Sequence, residues 1–125
     1  MSVSTRYWFI ALIYMGLIFI GSSIPGKALL EVRIWDKLIH LVEFGILSLI
    51  LGKAFRTSEP KIFIKHAAIL SVIMTILYGI SDEIHQSFVP LRCPDVYDVV
   101  ADGIGGILAQ GIFVIKRLQH TIQKD

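Results

Sequence analysis

Four long apolar segments separated by short polar connections limit what this chain can fold into. They cover about residues 7–23, 36–55, 62–88 and 95–118. A helix of about 20 apolar residues spans the roughly 30 Å hydrocarbon core of a bilayer. The composition agrees, because 54% of the 125 residues are hydrophobic and the mean hydropathy is +0.70, which is high for a small soluble domain. The sequence therefore predicts one all-α domain over residues 1–125, folded as a membrane four-helix bundle.

The first segment has a second interpretation. Arg6, the apolar run after it and the small residues of Gly21–Ser23 also fit a secretory signal peptide. We favour a retained transmembrane helix, because three more apolar segments follow and an even number of spans explains the charge distribution better. In the connection at residues 24–35, the turn signal Pro25–Gly26 is followed by apolar residues. This pattern favours a short segment lying in the membrane interface.

The basic residues sort between the two sides of such a bundle. With four spans, eight of the twelve Lys and Arg residues fall on one side. These eight are Arg6, Lys53, Arg56, Lys61, Lys65, Lys116, Arg117 and Lys124, and the other four are Lys27, Arg33, Lys37 and Arg92. By the positive-inside tendency, we expect both termini and the loop at 53–65 to be cytoplasmic. A net charge of only +2, without a basic stripe, gives no support for a nucleic-acid partner.

The acidic residues sort the opposite way, to the outer ends of the second, third and fourth segments. Ionisable groups at membrane depth are costly, so they usually face the interior of the bundle and mark function or internal pairing. The carboxylates concerned are Asp36, Glu43, Asp82, Glu83, Asp95, Asp98 and Asp102. His40, Gln86 and Arg92 accompany them in the sequence. We therefore expect a polar site at the outward face, and the small-residue stripe of Ala101, Gly105 and Ala109 predicts close helix packing beside it.

These residues resemble those of the VanZ-like membrane proteins over most of the chain, from about Ile10 to Ile112. The matching features are Ser22-Ser23 and Pro25, Asp36-Lys37-x-x-His40-x-x-Glu43-Phe44, Asp82-Glu83-x-x-Gln86-x-Phe88, Arg92, Asp98 and Ala101-Asp102-x-x-Gly105. The family usually carries Asn at the position of Asp102, so this chain has one more carboxylate there. The family is named for a protein associated with low-level resistance to the glycopeptide teicoplanin. The resemblance implies a multi-pass protein of the bacterial cytoplasmic membrane and cell envelope, with an effect on glycopeptide susceptibility as an antibiotic-resistance trait.

Three functions remain open for the polar site. In the first, it binds the headgroup of a membrane lipid or of a lipid-linked cell-wall precursor, with His40, Gln86, Arg92 and Asp102 as the binding residues. Arg92 would then hold a phosphate through its fork of donors. In the second, the protein is an enzyme acting on such a phosphate, with Glu43, Glu83 and Asp98 as the catalytic residues.

The enzyme hypothesis involves a divalent cation as cofactor, because carboxylates with one histidine suit such an ion. The candidate metal ligands are His40, Glu43, Asp82, Glu83, Asp98 and Asp102. The single cysteine, Cys93, excludes an intramolecular disulfide and zinc sites of the paired-cysteine type.

In the third, the cluster is structural and only holds helices together. Arg92 would then pair with Asp98 or Glu83, and His40 with Glu43. Such pairs contribute about 0.6–2 kcal/mol each in a membrane bundle. The excess of carboxylates over cations argues against this alternative, because helix packing does not require uncompensated negative charge. The sequence leaves open whether the site has any catalytic activity.

Overall fold

The computed structural model describes residues 1–26 and 32–124. Over these residues the chain is helical and has no strand. The helices are α1 (Val3–Ser22), α2 (Val32–Arg56), α3 (Lys61–Lys65), α4 (Ala67–Gln86) and α5 (Val96–Ile122). All but the short α3 are long and apolar enough to cross a membrane. The all-α class and the four membrane-spanning segments are therefore confirmed.

The helix ends differ in detail from those expected. The third predicted segment is divided at His66 (φ −106°, ψ 16°) into the five-residue α3 and the spanning α4. Of the interfacial segment expected at 24–35, residues 32–35 form the start of α2 and residues 27–31 lie outside the described part. Polar caps fix two helix starts: Ser2 accepts from the Thr5 amide before α1, and Asp95 accepts from the Tyr97 amide at the start of α5.

Helix α2 is central and packs against α1, α4 and α5. Its contact with α5 is close because glycines face each other. A Cβ placed on Gly105 would collide with the backbone of Leu41, and one on Gly45 would lie 3.2 Å from the Gly105 carbonyl oxygen. Small residues at such a contact let two backbones approach in lipid. The predicted close packing at Gly105 is therefore present, between α2 and α5.

The buried and exposed surfaces fit a membrane protein. Phe44, Leu47 and Leu51 of α2 are fully buried or nearly so, at 0–1% exposure. Many large apolar side chains instead lie on the outer surface, where lipid would contact them. The buried face of α4 is polar or small and runs in steps of four along Ala67, Ser71, Thr75, Gly79 and Glu83. Polar groups therefore point into the bundle, as expected for helices surrounded by hydrocarbon.

The end of the bundle that carries the loop at 53–65 has a polar contact of its own. Arg56 Nη2 donates to Gln110 Oε1 at 2.8 Å, and its guanidinium lies 4.2 Å from the centre of the Phe113 ring. The amide nitrogen of Gln110 donates to the backbone oxygen of Ser48 at 2.7 Å. These contacts join the end of α2 to α5.

Candidate functional site

The start of α2, the last turn of α4 and the start of α5 meet at one end of the bundle, which we call the acidic end. At its centre, His40 Nδ1 lies 2.9 Å from Asp102 Oδ1, and both side chains are buried. The second oxygen of Asp102 packs against Gly79 of α4 and has no hydrogen-bond partner among the described residues. A side chain at position 79 would collide with this carboxylate, so glycine is needed there for Asp102 to lie between α2 and α4.

The last turn of α4 contributes two carboxylates held by one amide. The nitrogen of Gln86 donates to Asp82 Oδ2 at 2.9 Å and to Glu83 Oε1 at 3.3 Å. The second oxygen of Glu83 accepts from the backbone amide of Asp95 at 2.8 Å, which ties α4 to the start of α5. The remaining oxygen of Asp82 is buried and has no partner within the described ranges. A buried polar atom without a partner is uncommon and costs about 1–3 kcal/mol.

Lys37 is the cation that lies among these carboxylates. Its Nζ is 2.7 Å from Asp95 Oδ2 and 3.0 Å from Asp98 Oδ1. The Asp98 side chain is almost wholly buried, whereas that of Lys37 is one-third exposed. The lysine therefore neutralises the charge on Asp98 while its stem covers the surface of the cluster. In the sequence, Lys37 stands out as one of the four basic residues on the outer side and as part of the Asp36-Lys37-x-x-His40 pattern.

Arg92 does not make the ion pair with Asp98 or Glu83 that the structural alternative involves. Its Nε donates to the Ile24 carbonyl at 3.1 Å, Nη2 to the Gly21 carbonyl at 3.4 Å, and Nη1 to Gln86 Oε1 at 3.4 Å. The guanidinium thus joins the α4–α5 loop to the end of α1. It reaches the carboxylates only indirectly, through Gln86. Carbonyls at and just beyond the end of α1 are available for these bonds, because the last turn of a helix lacks the amides that would continue it.

The His40–Glu43 pair of the structural alternative is not formed either, because His40 pairs with Asp102. The Glu43 side chain is partly buried, and the backbone oxygen of this residue accepts from Tyr14 of α1 at 3.1 Å. His85, a neighbour of the site in sequence, faces α1: its Nε2 lies 2.9 Å from Ser23 Oγ and its ring lies 4.2 Å from that of Phe19.

Within the part of the chain that the structure describes, two groups of side chains are arranged so that they could hold a metal ion. In each, one potential ligand atom per residue lies within 4.8 Å of the others. One group is Asp36, His40 and Asp98, and the other is His40, Asp82 and Glu83. His40 belongs to both. The second group is entirely buried, whereas Asp36 in the first is partly exposed.

The four apolar helices with a polar cluster inside one end define a multi-pass membrane protein. A family model described as VanZ/LLP1 matches residues 7–117. The chain therefore belongs to the VanZ/LLP1 family. Neither a search of curated proteins nor a search of solved structures gave a match.

Proposed function

We propose that this protein lies in the bacterial cytoplasmic membrane with its acidic end outward, where it binds the headgroup of a lipid or of a lipid-linked cell-wall precursor. Binding there would lower glycopeptide susceptibility by changing how the precursor is presented. Membership of the VanZ/LLP1 family supports the membrane location. The main support is that the acidic end contains more buried carboxylates than the packing of the helices requires.

The charge balance separates this proposal from a purely structural role. Lys37 compensates Asp95 and Asp98, and His40 pairs with Asp102. Among the described residues, Asp82 and Glu83 have no ion pair, although each is at most 6% exposed. Removing a charged group from water costs several kcal/mol unless it is paired. In the described part of the chain, Asp82 makes no hydrogen bond to another helix, so a cluster that served only to join helices would not need its buried carboxylate.

The depth of the cluster supports a headgroup as the ligand. Glu83 and Gln86 lie in the last turn of α4, and Asp98 and Asp102 in the first two turns of α5. At about 1.5 Å per residue, these groups are within roughly 10 Å of the helix ends. That depth corresponds to the boundary between the hydrocarbon and the headgroups.

The distribution of basic residues supports the outward orientation. Lys53 and Arg56 lie in the last turn of α2, at the opposite end from the acidic cluster. Lys61 and Lys65 are the first and last residues of the short α3, at the same end. An excess of lysine and arginine marks the cytoplasmic side of bacterial membrane proteins. The acidic end would then face the periplasm or the cell wall.

Photochemical labelling of the full chain in membranes tests the proposal. The probes are photoreactive analogues of undecaprenyl phosphate and of phosphatidylglycerol. We expect labelling of the wild type at peptides from the acidic end, and at least a tenfold loss in the near-isosteric variants Glu83→Gln and Asp98→Asn. Labelling by the first probe alone identifies a cell-wall precursor, and labelling by both identifies a general phosphate headgroup.

The exposed Glu59, in the loop before α3, provides the matched control. Glu59→Gln removes one carboxylate at the opposite end and should label like the wild type. Teicoplanin susceptibility of cells expressing each variant provides the second measurement, with the effect of the wild type lost in the two site variants. Equal labelling of wild type, Glu83→Gln and Asp98→Asn, with all three folded, would refute the proposal in favour of a structural cluster.

A further inference from the structure

We propose that His40, Asp82 and Glu83 bind one divalent cation of the zinc or manganese kind. As a means of holding a headgroup, this inference rests on the proposed function, but binding of the cation itself is a separate property of these three residues. They form one of the two groups at the acidic end whose potential ligand atoms lie within 4.8 Å of one another. One nitrogen and two carboxylate oxygens form a mixed donor set, which suits Zn²⁺ or Mn²⁺ better than the all-oxygen sites of Ca²⁺.

The first support is the charge and hydrogen bonding of Asp82. This residue is only 4% exposed, and its Oδ1 has no hydrogen-bond partner among the residues that the structure describes. Its Oδ2 accepts from Gln86 at 2.9 Å, so the side chain is fixed rather than free to turn away. A buried, oriented carboxylate oxygen without a donor is a ready metal ligand.

The second support is the set of contacts that orient the ligands. A metal-binding histidine usually donates a hydrogen bond from its other ring nitrogen, often to a carboxylate, and this bond fixes the tautomer and the ring orientation. His40 Nδ1 lies 2.9 Å from Asp102 Oδ1, so Nε2 is the ring nitrogen that would bind the ion. Gln86 orients both carboxylates by donating to Asp82 and Glu83 from one nitrogen. Each of the three ligands therefore has a partner that holds it in place.

The distribution of cations favours this group over Asp36, His40 and Asp98. The Asp98 carboxylate is already 3.0 Å from Lys37 Nζ, so an added divalent ion would be repelled by the lysine. Asp82 and Glu83 have no lysine or arginine within ion-pair distance in the described ranges. A +2 ion there would compensate two buried negative charges whose desolvation is otherwise costly.

The cation explains how an acidic site can hold an anionic headgroup. Carboxylates repel a phosphate directly, whereas a metal ion with three protein ligands keeps at least one position for water or a phosphate oxygen. The ion would therefore lie between the carboxylates and the phosphate. Arg92, which reaches Gln86 at 3.4 Å, lies on the loop side of the same site and could contribute a further positive charge to the headgroup.

Metal titration of the full chain in detergent tests the inference. The protein is stripped with a chelator and dialysed against ZnCl₂ or MnCl₂, and bound metal is measured by mass spectrometry. We expect one ion per chain for at least one of the two metals. Asp82→Asn and Glu83→Gln should each weaken binding at least tenfold, because loss even of a residue that orients a ligand typically costs about 10–100-fold.

Two comparison variants show whether an ion binds at the proposed ligands or at the other group. Glu59→Gln should bind like the wild type, and Asp36→Asn should retain the ion because Asp36 belongs only to the other group. Loss of the ion in Asp36→Asn but not in Asp82→Asn would overturn the assignment in favour of that group. The absence of saturable binding to the folded wild type, or unchanged binding in both Asp82→Asn and Glu83→Gln, would overturn the inference altogether. The elution volume on size exclusion and the helical circular dichroism report whether each variant is folded.

Lipid labelling of the stripped and metal-loaded protein separates this inference from the proposed function. One bound ion without any labelling supports the cation site and refutes headgroup binding. The cation site is refuted, and headgroup binding is supported, if no ion binds and labelling is the same whether the chelator-treated wild type is incubated with metal or not. If both are correct, labelling rises at least tenfold when the metal is restored.

Discussion

Replacing Gly105 by alanine should separate α2 from α5 and destabilise the protein. A Cβ at this position would lie 2.9 Å from the carbonyl carbon and 3.1 Å from the Cα of Leu41, and closer still to the carbonyl oxygen. Ordinary contacts begin at 3.4 Å, so α2 and α5 must separate by at least about 0.5 Å. The obstacle is backbone and cannot rotate away as a side chain would. Overpacking typically costs about 1–3 kcal/mol, and we expect the upper half of that range.

Gly103 offers a control in the same helix. A Cβ there would lie 3.4 and 3.5 Å from two carbons of the Ile76 side chain, which is ordinary contact. Gly103→Ala should therefore leave stability equal to that of the wild type or raise it by up to about 1 kcal/mol, through higher helix propensity. Unfolding by sodium dodecyl sulfate, followed by circular dichroism, measures both variants. Equal stability of Gly105→Ala and wild type would show that this contact does not limit the approach of α2 to α5.

Three further results are expected. Exposed Cys93 should react with a membrane-impermeant maleimide in intact cells, whereas a cysteine introduced at Glu59 in a Cys93→Ser background should react only after permeabilisation. The reverse pattern would invert the proposed orientation. Lys37→Met should lower the melting temperature by leaving Asp98 buried without its cation, and adding Asp98→Asn should restore part of the loss in the same thermal assay. No recovery would show that loss of this ion pair is not the cause of the lower melting temperature. Gln110→Leu should cost about 1 kcal/mol in the detergent unfolding assay, because the bonds to Arg56 and Ser48 are lost; an unchanged unfolding midpoint would show that they contribute little.

Much of the fold could be predicted from the sequence because the membrane imposes simple rules. Segment length and hydropathy were enough to place four spanning helices, and the close packing at Gly105 followed from its small neighbours. The interruption at His66 was not predicted, because Lys65 and His66 stand between apolar residues without a proline or glycine that would signal a break. Periodicity reports which face of a helix is polar, and nothing in that pattern marks a local break.

The site residues could be placed at one level of the bundle, but their partners could not be assigned. His40 and Glu43 share a helix face, so a pair between them was a reasonable expectation. In the structure, His40 instead pairs with Asp102, which is 62 positions away in the chain. The structural alternative likewise pairs Arg92 with a carboxylate, whereas its guanidinium donates to carbonyls at and just beyond the end of α1. Such pairings depend on how helices rotate and pack against one another, which the spacing of polar residues within one helix does not specify.

The packing of α2 on α5 and the chemistry of the acidic end depend on the same contact. Leu41, whose backbone meets Gly105, is next to His40, and the His40–Asp102 bond spans the same two helices. Any separation of α2 from α5 would therefore lengthen that bond and disturb the orientation of His40, which belongs to the same cluster as Asp82 and Glu83 of α4. Isosteric changes at those two carboxylates leave the helix contact intact. Loss of ligand binding without loss of stability thus identifies the carboxylates as functional, whereas changes at Gly105 should affect both.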